Sequence, residues 1–167
     1  MSILQKPHNL LTTTLDDATA EFGALFERKF GHALPQWPHH VVSFYRRDDG
    51  ALVPLSYSKF FHFQNVMLVG GCCTDGRAYA AMTDADRDAL AASGGSMVHV
   101  LRHGFARFAD ECEAYFGYCG DPRAWEVDIA AGFEPAGPDK LLVHWHKEQN
   151  ATTKRSLVAM VEAMGPF

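Results

Sequence analysis

The segment at residues 93–96 has the sequence Ser-Gly-Gly-Ser and precedes a stretch with helical periodicity. Free N–H groups in the first turn of a helix, together with the helix dipole, favour an anion, and glycine lets a phosphate approach the backbone closely. A loop with a serine cap would have the same sequence. Gly94, Gly95 and Ser96 therefore form a candidate phosphate site.

Acid–base chemistry could come from one carboxylate and one phenol. Asp128 could serve as a general base, or as an acid if burial raises its pKa, provided that it faces a cleft. The simpler interpretation places Glu126 and Asp128 on the solvated side of an amphipathic helix. Tyr118 could donate a proton instead, although tyrosines on strands usually serve packing. Asp128 and Tyr118 are the candidate catalytic residues.

The four cysteines do not show the spacing of a zinc knuckle. Cys72 and Cys73 are adjacent, and a nucleophilic cysteine would need a neighbour that stabilises its thiolate. No such neighbour can be identified from the sequence, so buried packing on a strand is the expected role. We expect no disulfide framework.

Nine histidines raise the question of a metal. Two pairs have suitable local spacing, namely His99 with His103 on a helix and His144 with His146 on a strand. Nothing in the sequence brings the two pairs together, and simple loop or surface positions explain them. We therefore expect no metal ligands, and a metal-dependent enzyme ranks last among the hypotheses.

The elements that must position these residues alternate between strand and helix. Apolar periodicity and turn residues predict helices at 16–30, 83–92, 97–114, 123–131 and 152–164, and strands at 41–47, 51–63, 65–73, 115–119 and 141–146. The first strands form an antiparallel meander with a turn at 48–50. Gly70 and Gly71 indicate a bulge or a close backbone approach in the central strand.

Size and charge limit the possible functions. A chain of 167 residues that is 47% hydrophobic can form one domain, residues 1–167, around its own core. A net charge of −5 without a Lys/Arg cluster argues against nucleic acid and anionic membranes as partners. Residues 1–15 are mixed and polar, and no run approaches the ~20 apolar residues of a membrane span. The expected location is the cytoplasm.

One motif resembles a known family. The segment Asp121-Pro122-Arg123-Ala124 through Gly132-Phe133 resembles the late motif Asn-x-x-Ala-(x)7-Gly-Phe of the GCN5-related N-acetyltransferase (GNAT) superfamily, with Ala and Gly-Phe in register. The order of elements over residues 40–146 is also similar to that family. The resemblance implies an α/β fold with a central, mostly antiparallel mixed sheet flanked by helices.

The resemblance also implies a cofactor and a site. Acetyl-CoA or another acyl-CoA would lie in a V-shaped gap between the strand ending near Cys73 and the strand at 115–119. The implied acceptor is an amine of a small molecule or peptide. The implied cofactor-binding residues are Cys72, Cys73, Thr74, Gly94, Gly95, Ser96, Asp121 and Arg123.

Three departures from the family keep a second hypothesis open. An extra helix precedes residues 93–96, and Ala91 stands where the family has a basic or amide residue. Asp128 occupies the position where many members have a tyrosine that protonates the thiolate. The chain ends in a helix in place of a last strand, which leaves a sheet edge that a second subunit could cover in a homodimer. The alternative is a catalytically inactive GNAT-like domain that binds an acyl ligand or acts as a scaffold.

Overall fold

A computed structural model describes residues 5–36 and 38–167. Its strands are β1 Leu10–Leu15, β2 His40–Arg46, β3 Leu52–Phe63, β4 Val66–Thr74, β5 Tyr115–Tyr118, β6 Glu134–Pro135 and β7 Leu141–His144. Its helices are α1 Thr19–Phe30, α2 Asp84–Ala92, α3 Ser96–Arg107, α4 Pro122–Ala131 and α5 Ala151–Met164, with a short 3₁₀ helix at Gly76–Ala81. None of the helices in these ranges is long and apolar enough to cross a membrane.

All seven strands belong to one sheet with the order β1-β2-β3-β4-β5-β7-β6. Every neighbouring pair is antiparallel except β4 and β5, which are parallel. A parallel pair requires a crossover, and residues 75–114 supply it with α2 and α3. The prediction of a mostly antiparallel mixed sheet flanked by helices is confirmed.

Helices cover both faces of the sheet. Successive residues of a strand point to opposite faces, so each strand contributes apolar side chains to both helical layers. Tyr115 packs with α3 and α4 residues such as Phe105 and Ala131, whereas the next residue, Phe116, packs against α5. In the same way β2 directs Val41 toward α3 and Val42 toward α1. The sheet therefore lies between a layer with α3 and α4 and a layer with α1 and α5.

Local signals in the sequence explain most element boundaries. α1 ends at Gly31, which has a left-handed conformation, and the Thr83 side chain caps α2 by accepting a hydrogen bond from the Asp86 amide. The predicted helix at 97–114 was too long, because the helix ends at Arg107 and the chain turns before β5. Strands β1 and β6 were not predicted.

Candidate active site

The two parallel strands separate soon after they meet. β4 and β5 pair only from Met67–Tyr115 to Val69–Gly117. β4 then continues to Thr74 beside β3 alone, while β5 pairs with β7 on its other side along its whole length. A gap therefore opens between residues 70–74 and the end of β5, where the resemblance placed the cofactor. We refer to it as the β4–β5 gap.

A bulge in β4 shapes this gap. Tyr57 pairs with Cys73 and Lys59 with Gly70, so two β4 residues face one residue of β3. Gly71 takes a φ of +63°, and a Cβ atom there would lie 3.0 Å from the Phe26 ring. The predicted bulge at Gly70–Gly71 is confirmed, and the residue after it points into the gap.

Cys72 and Asp128 meet in the β4–β5 gap. The Cys72 side chain packs against the core beneath α3 and α4, and its Sγ lies 3.2 Å from Ser58 Oγ. Asp128, on α4, is close enough that its negative charge helps to raise the pKa of Cys72. The sequence-predicted Asp128 therefore faces the gap and is half-buried instead of lying on a solvated helix face.

Cys119 completes this cluster and was not predicted as a site residue. Burial raises the pKa of the Asp128 carboxyl, and the adjacent Cys119 thiol partly offsets that rise, while Cys119 Sγ also lies 3.4 Å from the Asp121 carbonyl. Strand alternation could have identified it, because Cys119 follows Tyr115 and Gly117 at a spacing of two and so faces α4.

Burial sets the protonation of the cluster. It raises the pKa of Asp128 from 3.8 to about 6, so this carboxyl is ionised at neutral pH but titrates close to it. Burial, followed by the charge of Asp128, raises the pKa of Cys72 to about 12. The Cys72 thiol therefore stays protonated, which favours a packing role over nucleophilic catalysis.

The predicted phosphate site lies beside the end of β4. Ser96 Oγ lies 2.6 Å from Ser56 Oγ, which lies 2.7 Å from Thr74 Oγ1. This chain of three hydroxyls joins the start of α3 to the last residue of β4. Ser96 is almost fully buried, so its hydroxyl is held in this contact, and its backbone N–H belongs to the first turn of α3.

The role of Gly94 and Gly95 is to adopt an unusual backbone conformation, and their N–H groups are already hydrogen-bonded. Their N–H groups donate to the carbonyls of Ala91 and Leu90 at the end of α2. Gly95 precedes the first turn of α3 with a φ of +92°, and no side chain among the described residues caps that turn. The candidate groups for an anion are therefore the first-turn N–H groups of α3 and not those of the two glycines.

Asp121 and Arg123 lie at the start of α4. Asp121 Oδ1 accepts hydrogen bonds from the amides of Ala124 and Arg123, which lower the pKa of Asp121, and Lys29 of α1 adds a smaller effect. Asp121 is thus the helix cap, and Arg123 is exposed next to it. A surface pocket of about 260 Å³ at this end of β5 is lined by Cys119, Asp121 and Trp125, among others.

Cys73 and Tyr118 point away from the cluster. Cys73 is buried with Tyr57 and Phe26 on the α1 side, so only its backbone can border the gap. Tyr118 is exposed on the α5 side, where its ring centroid lies 6.2 Å from that of Phe167. The structure therefore does not bring Tyr118 together with Asp128.

The four paired histidines have structural partners. His99 Nε2 lies 2.9 Å from Ser93 Oγ, and His103 Nδ1 lies 3.4 Å from Thr12 Oγ1. His144 and His146 each contact a backbone carbonyl at 2.8 Å, and both are half-buried near Tyr115.

Comparisons with known proteins support the fold. No family model and no curated protein matches the sequence. A solved structure described as "a Putative Acetyltransferase from Pyrococcus horikoshii" superposes with a TM-score of 0.51 at 10% identity. The similarity covers 78% of this chain, which spans 45% of the length of that structure. The chain therefore has an acetyltransferase-like fold, and at this identity the comparison defines the fold alone.

Proposed function

We propose that the protein transfers an acyl group from acyl-CoA, for example acetyl-CoA, to an amine of a small molecule or peptide. The observation that carries this proposal is the early separation of β4 from β5, with Asp128 facing the resulting gap. The likeness in fold to a structure described as an acetyltransferase is consistent with it.

The residues around the gap fit an acyl-CoA. Beyond Val69, β4 has no strand partner on the β5 side in the described residues, so the backbone of Cys72, Cys73 and Thr74 can hydrogen-bond the amides of a pantetheine arm. The uncapped first turn of α3 lies next to Thr74 and suits the phosphates. Arg123 lies exposed at the start of α4 and is the candidate contact for further phosphate or adenine atoms.

Asp128 is the proposed general base. At neutral pH its carboxylate accepts a proton from the attacking amine, while a C–N bond forms and the thioester C–S bond breaks. The thiolate that leaves takes up a proton from water or from the protonated Asp128. The substrate supplies the reactive thioester, and the protein contributes orientation, proton transfer and polarisation of the carbonyl by backbone N–H groups.

Two observations favour a second candidate function. Tyr118 points away from Asp128, and the gap has a carboxylate where many GNAT members have a tyrosine acid. A domain that binds CoA or another acyl ligand without catalysis, or that acts as a scaffold, would also have this gap. A homodimer and a cytoplasmic location remain proposals alongside either function.

Thermal unfolding with acetyl-CoA and with free CoA at millimolar concentration tests the cofactor. Gly95→Glu and Gly95→Ala share the same backbone strain at φ +92°, and a Cβ atom there meets nothing within 4 Å. Only Glu adds a negative charge next to the first turn of α3. We expect ligand to raise the Tm of the wild type and Gly95→Ala, with the increase lost in Gly95→Glu.

No increase in the wild-type Tm with either ligand would refute acyl-CoA binding at the gap. Binding that persists without release of CoA thiol, for any of a panel of small amines and peptides, would favour the non-catalytic alternative. Release that depends on the amine would support transfer.

A further inference from the structure

Three metal-binding side chains come together away from the β4–β5 gap. His39 precedes β2, His62 lies near the end of β3, and Glu111 lies in the loop between α3 and β5. One donor atom from each lies within 4.8 Å of the other two. Neither histidine belongs to the two pairs that the sequence singled out.

The sheet explains why the two histidines share a position. The Phe60 amide donates a hydrogen bond to the His39 carbonyl, so the segment before β2 lies directly beside β3. On β3, His62 follows Phe60 at a spacing of two and therefore points to the same face. The His39 ring lies beside both His62 and Phe108, with ring centroids 5.9 Å and 4.8 Å away.

The end of α3 brings the carboxylate to the histidines. Phe108 is the C-terminal cap of α3, and the following turn is closed by a hydrogen bond from the Glu111 amide to the Phe108 carbonyl. Arg107 donates a hydrogen bond to Glu111 Oε1 at 3.1 Å, while Glu111 Oε2 lies 3.5 Å from His62 Nε2. One carboxylate oxygen is thus held by Arg107 and the other is directed at the histidines.

We propose that His39, His62 and Glu111 bind a divalent transition-metal ion of the Zn²⁺ type. Two imidazoles and one carboxylate are a donor set that suits Zn²⁺, whereas Ca²⁺ and Mg²⁺ prefer oxygen donors. Bonds from zinc to these donors are about 2 Å long, so bound donors lie roughly 3–4 Å apart. The exposed His62 and Glu111 side chains reach that spacing by small rotations.

Three protein donors leave one position of a tetrahedral ion open to solvent. The ion would link three segments that are distant in sequence, and metal binding would therefore stabilise the folded state. The site lies at the end of β3 and the start of β4, where His62 pairs with Met67, whereas the β4–β5 gap begins beyond Val69. The proposal is therefore independent of the proposed acyl transfer.

Calorimetric titration of the full chain with ZnCl₂ tests the site. We expect one ion per chain, and we expect His39→Ala, His62→Ala or Glu111→Gln to raise the Kd at least ~10-fold. Even the loss of a residue that only hydrogen-bonds a metal ligand lowers the affinity by that factor. The matched controls are His8→Ala and His32→Ala, two exposed histidines outside the cluster, which should bind like the wild type. Circular dichroism of each variant checks that it is folded.

Cysteines could also bind zinc, so the donor atoms need a separate measurement. Cys72 and Cys119 are free thiols that lie near each other in the gap. We expect the Co²⁺ complex to lack the sulfur-to-metal charge-transfer band of a thiolate ligand. The proposal is wrong if the wild type binds no stoichiometric ion, if the three cluster variants bind as tightly as the controls, or if the thiolate band appears. Loss of binding in the cluster variants alone supports it.

Discussion

Asp128 is the residue on which catalysis by this protein depends in our proposal. It lies on α4 with the thiols of Cys72 and Cys119 nearby, and burial raises its pKa to about 6. A carboxylate with this pKa is largely ionised at pH 7 and is still a stronger base than an exposed aspartate. The environment of Asp128 therefore matches a proton acceptor that works near neutral pH.

Asp128→Asn should reduce acyl transfer and leave cofactor binding intact. Asparagine has the same size but cannot accept the proton, so we expect kcat to fall by ~10²-fold or more with little change in Kd for acyl-CoA. In the wild type, kcat/KM should fall as the pH drops below about 6, because the protonated carboxyl cannot act as a base. Initial rates of thiol release across pH provide the measurement.

The matched control for this variant is Glu126→Gln, which removes an exposed carboxylate from the same helix. It should retain the wild-type rate and pH profile. A wild-type rate in Asp128→Asn would remove Asp128 from the mechanism and transfer the role to water or another group.

The same substitution should stabilise the fold at neutral pH. Because the pKa of Asp128 rises from 3.8 to about 6 on folding, the native state binds this proton more tightly than the unfolded state does. The contribution to stability is thus full below pH 3.8 and is lost as the pH rises through about 6. We expect Asp128→Asn to gain ~1–2 kcal/mol above that range, a figure reduced for partial exposure, and to gain nothing under acid conditions.

Urea unfolding of the wild type and Asp128→Asn at several pH values measures this difference. A gain that stays constant with pH would show that ionisation of Asp128 is not its cause. Lower activity together with higher stability is the pattern expected of a residue kept for function.

At the scale of elements, β4 decides whether a gap exists. The bulge at Gly71 turns the strand after it has paired with β5, and the first turn of α3 is tied to its end through Ser56 and Thr74. The backbone geometry of β4, and not a particular polar side chain, thus separates it from β5. A change that straightens β4 should therefore affect binding without touching a ligand-contacting group.

Gly71→Ala should weaken both folding and acyl-CoA binding. A φ of +63° costs an alanine ~1–2 kcal/mol, and its Cβ atom would lie 3.0 Å from the buried Phe26 ring. Gly70→Ala is the matched control, because its Cβ atom meets only the flexible Lys59 side chain, at 3.5 Å. We expect thermal unfolding to show a lower Tm for Gly71→Ala and a smaller increase with acyl-CoA than for Gly70→Ala. Equal behaviour of the two variants would contradict a structural role for the bulge.

Elements with strong local signals were predictable, and those fixed by tertiary pairing were not. The Thr83 cap and the Asp48–Gly50 turn each carry residues that favour the observed geometry. β1 has the sequence Leu-Leu-Thr-Thr-Thr-Leu, which lacks the alternation of apolar and polar residues that is typical of a strand. It forms because it pairs with β2. β6 is two residues long and exists only through its pairing with β7.

Some residues of the candidate site could likewise be predicted from local patterns, and others could not. Asp128 was identified through its register with a family motif, and its burial, which the sequence alone does not determine, excludes a fully solvated carboxylate. The facing directions of Tyr118 and Cys73 depend on strand register, and one residue of register reverses the face of every side chain. The cluster of His39, His62 and Glu111 depends on three separate segments, so no local pattern could indicate it.

At the scale of the whole molecule, charge opposes the proposed ligand. The chain has a net charge of −5, and acyl-CoA carries several negative charges on its phosphates. Long-range repulsion therefore acts against binding, and salt screens it within a Debye length of about 10 Å at 0.1 M. Hydrogen bonds from the first-turn N–H groups of α3 act at short range and depend less on salt.

The affinity for CoA should therefore stay the same or increase as the salt concentration rises. Between about 20 and 200 mM NaCl we expect Kd to stay within ~3-fold or to decrease, because screening relieves repulsion while the short-range N–H contacts persist. Calorimetric titrations at three salt concentrations provide the measurement. A Kd that rises steeply with salt would instead indicate that cationic side chains bind the phosphates. Arg123→Ala would then test whether the exposed arginine at the start of α4 is the contact, with Arg47→Ala as the control.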